Sequence, residues 1–119
     1  MAYNEGLSSE KWALLPVLKD EKRETCYHLY QLRIAGASEP QRDAIMQAIF
    51  DQDVSVNVHF QPLPLLTAYK NLGYKMEDYP EAWNKYANEI TLPVYFDLTD
   101  EQVQIVITAV KNAVKQVLG

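Results

Sequence analysis

Val54-Ser-Val-Asn-Val-His-Phe-Gln-Pro-Leu-Pro64 is the stretch on which the fold turns. Val54, Val56, Val58 and Phe60 alternate with Ser55, Asn57 and His59, and a period of two sends one set to each face of a strand. This alternation predicts Val56, Val58 and Phe60 in the core and the His59 ring exposed on the polar face. Pro62 and Pro64 have no N–H to give to a ladder, so the strand must end by about Gln61 and the chain must leave the sheet beside His59. A rigid strand end that carries an outward imidazole is a place where part of a site can be built.

On the N-terminal side of this run, Tyr27-His-Leu-Tyr-Gln-Leu-Arg-Ile34 reads as another strand, with Tyr30, Leu32 and Ile34 opposing Gln31 and Arg33. Between the two, Ser38 and Gln41 form a capping-box pattern with Pro40 in the first turn, so a helix is expected from about Glu39 to Asp51, burying Ile45, Met46, Ile49 and Phe50. Residues 3–18 read as a short helix and its exit, broken at Pro16. Beyond the prolines, Leu65 to Leu72 predicts a short helix stopped by Gly73, and Pro80 opens another. Glu89-Ile-Thr-Leu-Pro-Val94 is a brief strand that Pro93 confines to an edge or a ladder's end. Thr99 and Gln102 repeat the capping box ahead of Val103, Val106, Ile107, Val110, Val114 and Val117, one stripe at helical spacing. The fold class is α+β, a small antiparallel sheet of about three strands covered by helices on one face.

At 119 residues, 48% of them hydrophobic, the chain builds one core and one domain, 1–119, with 1–26 as a helical lead-in and 27–119 as the α+β core. The formal charge is -5 and the eleven Lys and Arg are scattered, which argues against nucleic acid as a partner. No window has the roughly 18 apolar residues of a membrane span, and the N-terminus lacks the form of a signal peptide, so a cytoplasmic protein with no membrane contact is expected. The single cysteine, Cys26, stands beside Tyr27 at the start of an apolar strand and reads as a buried, inert thiol.

The inventory of reactive groups excludes some chemistry. The four glycines are isolated at 6, 36, 73 and 119, so no phosphate-binding glycine loop exists. His28, His59 and Cys26 have no zinc-type spacing, and no orienting acid marks a Cys26/His59 nucleophilic pair. Tyr69, Tyr74, Tyr79, Trp83 and Tyr86 are dense enough for a ligand-stacking wall, with core packing the simpler reading.

Seven pieces resemble, in order and with short gaps, the C-terminal small domain of DegT-type sugar aminotransferases. They are Tyr27-His-Leu-Tyr-Gln-Leu-Arg-Ile34, Arg42-Asp43, Val56-Asn-Val-His-Phe-Gln-Pro-Leu63, Tyr69-Lys-Asn-Leu-Gly-Tyr74, Asp78-Tyr-Pro80, Ile90-Thr-Leu-Pro-Val-Tyr95 and Leu98-Thr-Asp-Glu-Gln-Val103. The resemblance implies the small domain of a fold-type I pyridoxal-phosphate enzyme that aminates nucleotide-linked keto sugars. In that family a large N-terminal domain supplies the Schiff-base lysine, the aspartate on the pyridine nitrogen and the phosphate cup. It implies that this chain is a fragment which binds no cofactor itself, is inactive alone, and has the missing large domain and a homodimer mate as partners. The family's His-aromatic-X-Pro-Leu segment falls on His59, Phe60, Gln61, Pro62 and Leu63, which the resemblance makes part of the wall near the sugar nucleotide. Many relatives carry a second histidine after Pro-Leu, where this chain has Pro64. A free-standing binding or regulatory module, or an inactive remnant, built from the same domain are the other readings.

Overall fold

The computed structural model describes residues 1–119. Its centre is β2 (Tyr30–Ile34), where Tyr30, Leu32 and Ile34 are fully buried while Gln31 is exposed and Arg33 half-buried. The period-two reading of this strand is therefore correct, over a shorter span than 27–34: Tyr27 has φ 55 and lies outside the ladder. β2 pairs antiparallel with β1 (Ala13–Leu14) on one side and β3 (Glu89–Leu92) on the other. Residues directly opposite one another share a face. The register Tyr30↔Leu92 and Leu32↔Ile90 thus makes one apolar face, and Gln31↔Thr91 with Arg33↔Glu89 makes a polar one.

Helices cover the apolar face. α2 (Glu39–Phe50) and α5 (Asp100–Leu118) pack against each other, and both begin with the capping boxes that Ser38/Gln41 and Thr99/Gln102 spell out. Each box satisfies two orphan N–H groups reciprocally, which sets the start of its helix. Val103, Val106, Ile107, Val110 and Val114 of α5 are buried, as their spacing requires. α1 (Ala2–Leu7) lies on α5 where Gly6 meets Ile107, and sends Tyr3 and Leu7 into the core. The Tyr3 and Tyr30 rings stand 5.0 Å apart; Tyr3 donates its hydroxyl to the Pro93 carbonyl and Tyr30 to Asn4 Oδ1. Between the second and third strands come α3 (Thr67–Asn71) and α4 (Pro80–Tyr86), with Gly73 at φ 94 ending the former as a left-handed residue.

Three expectations are corrected. The Val54 run is not a strand of the ladder. It touches the sheet at one bridge, Asn57 to Thr91, in which each backbone N–H bonds the other's carbonyl, and the sheet's third strand is instead β1. Val54 and Val56 are buried as expected, but past the bridge the alternation fails: Val58 and His59 are half-buried and Phe60 is 75% exposed. The physical reason is that the chain crosses over the polar face there. Residues 1–26 are also more than a helical lead-in, since they supply β1 and three core side chains, Tyr3, Leu7 and Leu18. Finally, Cys26, in the loop before β2, and Phe50, at the last position of α2, are exposed, and so are Tyr69, Tyr74 and Tyr79, because the segment that carries α3 and α4 lies outside the main core.

Candidate functional site

The polar sheet face carries the candidate site, because its covering segment is held there by hydrogen bonds rather than by apolar contact. His59 is fixed at three points. Its N–H donates to Glu89 Oε2 at 3.0 Å, its carbonyl accepts from Gln31 Nε2 at 2.7 Å, and its ring Nδ1 lies 2.9 Å from Thr91 Oγ1. Phe60 meets the imidazole edge-on at 4.5 Å. Thr91 in turn donates to Glu89 Oε1. Segment 57–60 thereby buries the polar side of β3, which is why all four residues of that strand are buried, including Glu89 and Thr91.

Glu89 is a buried carboxylate with its hydrogen bonds satisfied. Burial pushes its carboxyl above the ordinary carboxylate range. The Thr91 hydroxyl, the His59 N–H and the charges of His59 and Arg42 pull the other way without overcoming it. Arg42, on α2 and 2% exposed, donates Nη1 to the carbonyls of Tyr86 and Glu89 at 2.8 and 3.0 Å and stacks its guanidinium 4.8 Å from the Tyr86 ring. It ties the end of α4 to the start of β3.

A cavity of about 640 Å³ opens over this face, lined by Gln31, Arg33, His59, Phe60, Lys85 and Glu89 among others. Arg33 donates to Asn88 Oδ1 and the Asn84 carbonyl, so it is braced by neutral acceptors and presents its charge to the cavity beside Lys85. A second cavity of about 420 Å³ is walled by Leu63, Pro64, Tyr69, Tyr74 and Tyr79, and shares Pro62 and Ala82 with the first. Its tyrosine rings stand 5.9 and 6.5 Å apart in succession. Core packing is thus the wrong reading of those tyrosines.

Of the five residues singled out in the sequence, His59, Phe60 and Pro62 line the first cavity and Leu63 lines the second with Pro62, while Gln61 is exposed and lines neither. Sequence reasoning missed Gln31, Arg33, Glu89 and Thr91. The signal was present as a Glu-X-Thr pair inside an apolar strand and as the polar set of β2, which direct pairing places together.

Pyridoxal phosphate needs a lysine, an acid for the pyridine nitrogen and a phosphate cup. The cavity's lysine, Lys85, is exposed, no aspartate lines it, and both oxygens of Glu89 are already engaged. This donor set does not fit the cofactor.

Several known proteins are similar to this chain in sequence or fold. A protein of Methanocaldococcus jannaschii, MJ1066, is 34% identical over 116 residues, covering 96% of this chain and 30% of its own length. The spore coat polysaccharide biosynthesis protein SpsC of Bacillus subtilis is 34% identical over 108 residues, 86% of this chain and 27% of its own. Among solved structures, Spr1654 of Streptococcus pneumoniae, assigned as a sugar aminotransferase, superposes with a TM-score of 0.94 at 41% identity, covering 98% of this chain and 29% of that one. It is also known in a PLP form, with a TM-score of 0.93. PseC of Helicobacter pylori shares the fold, at a TM-score of 0.84 and 22% identity. The chain thus spans less than a third of the length of the proteins it resembles. The sequence profile of the DegT/DnrJ/EryC1/StrS aminotransferases matches residues 1–111, and the chain belongs to that family.

Proposed function

We propose that this chain is the small domain of a pyridoxal-phosphate-dependent aminotransferase acting on nucleotide-linked keto sugars, and that segment 59–63 forms part of the wall of its substrate pocket. The observation that carries this reading is the seating of His59 by three hydrogen bonds at a cavity that also holds Arg33 and Lys85. A phosphorylated sugar has hydroxyls for the imidazole and negative charge for the two cations. The length of the relatives supports a larger whole, in which another domain holds the cofactor and, with a second subunit, closes the site. The apolar surface left open is also consistent with further covering, since Val17, Leu72, Phe96 and Ile105 are all more than half exposed.

Two measurements test the proposal. In the enzyme that joins this chain to its cofactor-binding domain, His59→Ala is expected to raise KM for the nucleotide sugar, with the melting temperature little changed. The 119-residue chain alone, incubated with pyridoxal phosphate and reduced with borohydride, is expected to carry no stoichiometric lysine adduct. Unchanged KM in His59→Ala would remove the wall assignment, and a specific adduct on the isolated chain would remove the small-domain reading in favour of an autonomous cofactor protein.

A further inference from the structure

Thr91 has one hydroxyl proton and two hydrogen-bond neighbours, Glu89 Oε1 and His59 Nδ1. An ionised carboxylate only accepts, so the Thr91 proton goes to Glu89. The Thr91 oxygen can then only accept from the imidazole, and the neutral ring must carry its proton on Nδ1. We infer that Glu89 and Thr91 are positioning residues that lock His59 as the Nδ1–H tautomer and present Nε2 to the cavity as a hydrogen-bond acceptor.

The arrangement is directional because each member has one free choice and the carboxylate makes it. The other Glu89 oxygen is held by the His59 N–H, so the carboxylate cannot rotate away from Thr91 without releasing the segment that carries the ring. The Gln31 side chain on the His59 carbonyl fixes the same segment from β2. Around the carboxylate, Arg42 of α2 sits on the Glu89 carbonyl and, with the Thr91 hydroxyl and the His59 N–H, favours the ionised form that sets the direction, against the burial that raises its pKa; Arg33 of β2 and Lys85 of α4 line the same cavity. An acceptor nitrogen selects a donor, so the matching ligand group is a hydroxyl or ammonium, and in a phosphorylated carbohydrate a ring hydroxyl. This last assignment rests on the proposed function above; the tautomer itself does not.

The test reads the ring nitrogens directly. In the ¹⁵N-labelled chain at mildly alkaline pH, with the imidazole neutral and Glu89 ionised, His59 is expected to show a pyrrole-type Nδ1 and a pyridine-type Nε2. His28→Gln identifies the signals, since the chain has two histidines. Glu89→Gln is the sharpest variant: its amide oxygen can take the His59 N–H while its NH₂ donates to Thr91, which must then donate to Nδ1. The expected result is a swap of the two nitrogen types. Thr91→Val should release the ring to the Nε2–H form that free imidazole prefers, and Thr91→Ser should restore the Nδ1–H form. A pyridine-type Nδ1 in the unaltered chain overturns the inference outright, even if every variant misfolds, and so does a folded Glu89→Gln with no swap. In the joined enzyme, Glu89→Gln should raise KM for the nucleotide sugar roughly tenfold, the scale of one inverted hydrogen bond. A tautomer swap without that rise would retain the relay and refute the sugar-hydroxyl assignment.

Discussion

Replacing Arg42 by methionine should cost more than its place on an amphipathic helix suggests. The side chain is 2% exposed, and one nitrogen of its guanidinium serves two backbone carbonyls, those of Tyr86 and Glu89. Methionine fills most of the stem's volume and leaves both acceptors without their donor. A buried polar group stripped of its partner costs about 1–3 kcal/mol, so the pair brings about 2–6. Loss of the stack on Tyr86 adds about 0.5–1 kcal/mol. Relief from burying a charge offsets part of this, leaving an expected net loss of about 2–4 kcal/mol. Urea unfolding followed by circular dichroism measures it, with an unchanged m-value required for the comparison to hold. Asp43→Asn is the control. Asp43 bonds Arg42 Nε at 2.7 Å, but its side chain is 60% exposed, and an ion pair with one end in water contributes less than about 1 kcal/mol. Arg42→Lys should recover only part of the loss, because a single ammonium lacks the rigid fork. A stability for Arg42→Met within about 0.5 kcal/mol of the parent would refute the reasoning, since it would mean that neither carbonyl depends on the guanidinium.

Leu32→Ala, at a fully buried position, should lose about 2–5 kcal/mol, whereas Phe60→Ala, at 75% exposure, should stay within about 0.5; equal losses would restore the Val54 run as a core strand. Burial holds the Tyr30 phenol up to about 12, and burial together with the Tyr95 and Tyr30 hydroxyls raises Tyr3 as well. The native chain then keeps protons that the unfolded chain has lost, so stability should fall as pH rises from the ordinary tyrosine value of 10.0 through the raised ones. Tyrosinate absorbance in which all eight tyrosines titrate together near 10.0 would contradict this. At Gly6 an added methyl would stand 2.5 Å from Ile107 Cδ1 and 3.3 Å from both its γ carbons. Gly6→Ala should therefore lose about 1–3 kcal/mol to overpacking, more than the roughly 0.5–1 gained in helix propensity, and a higher melting temperature would show that Ile107 repacks freely.

What the sequence made legible was local. Ser38/Gln41 and Thr99/Gln102 announce helix starts because a capping box is complete within four residues, and the α5 stripe announces its buried side because one helix carries it all. Gly73 needs only its own positive φ to be read as a stop. The failures were those that depend on a remote partner. Whether residues 54–60 pair along their length or at Asn57 alone is decided by Thr91, more than thirty residues away, and alternation is blind to it. β1 is two residues long, too short for any period. Glu89 reads as a surface charge until a loop is laid over it. The candidate site was half legible for the same reason: His59 and Pro62 could be named from their motif, but the residues that aim them lie on two other strands.

The sheet's two borders have a consequence for how the chain behaves at high concentration. An open β edge is a template on which a neighbour's backbone can crystallise, and long unpaired edges are where soluble proteins begin to form fibres. Here one border is a two-residue strand with Pro16 just beyond it, and the other is closed at its middle by the Asn57 bridge, after which the chain runs into Pro62 and Pro64. Neither side offers a run of free N–H and C=O groups long enough to seat a foreign strand. Any sticking between copies must then come from side chains such as Phe96 and Leu72, and should dissolve in mild detergent rather than mature into cross-β deposits that bind thioflavin.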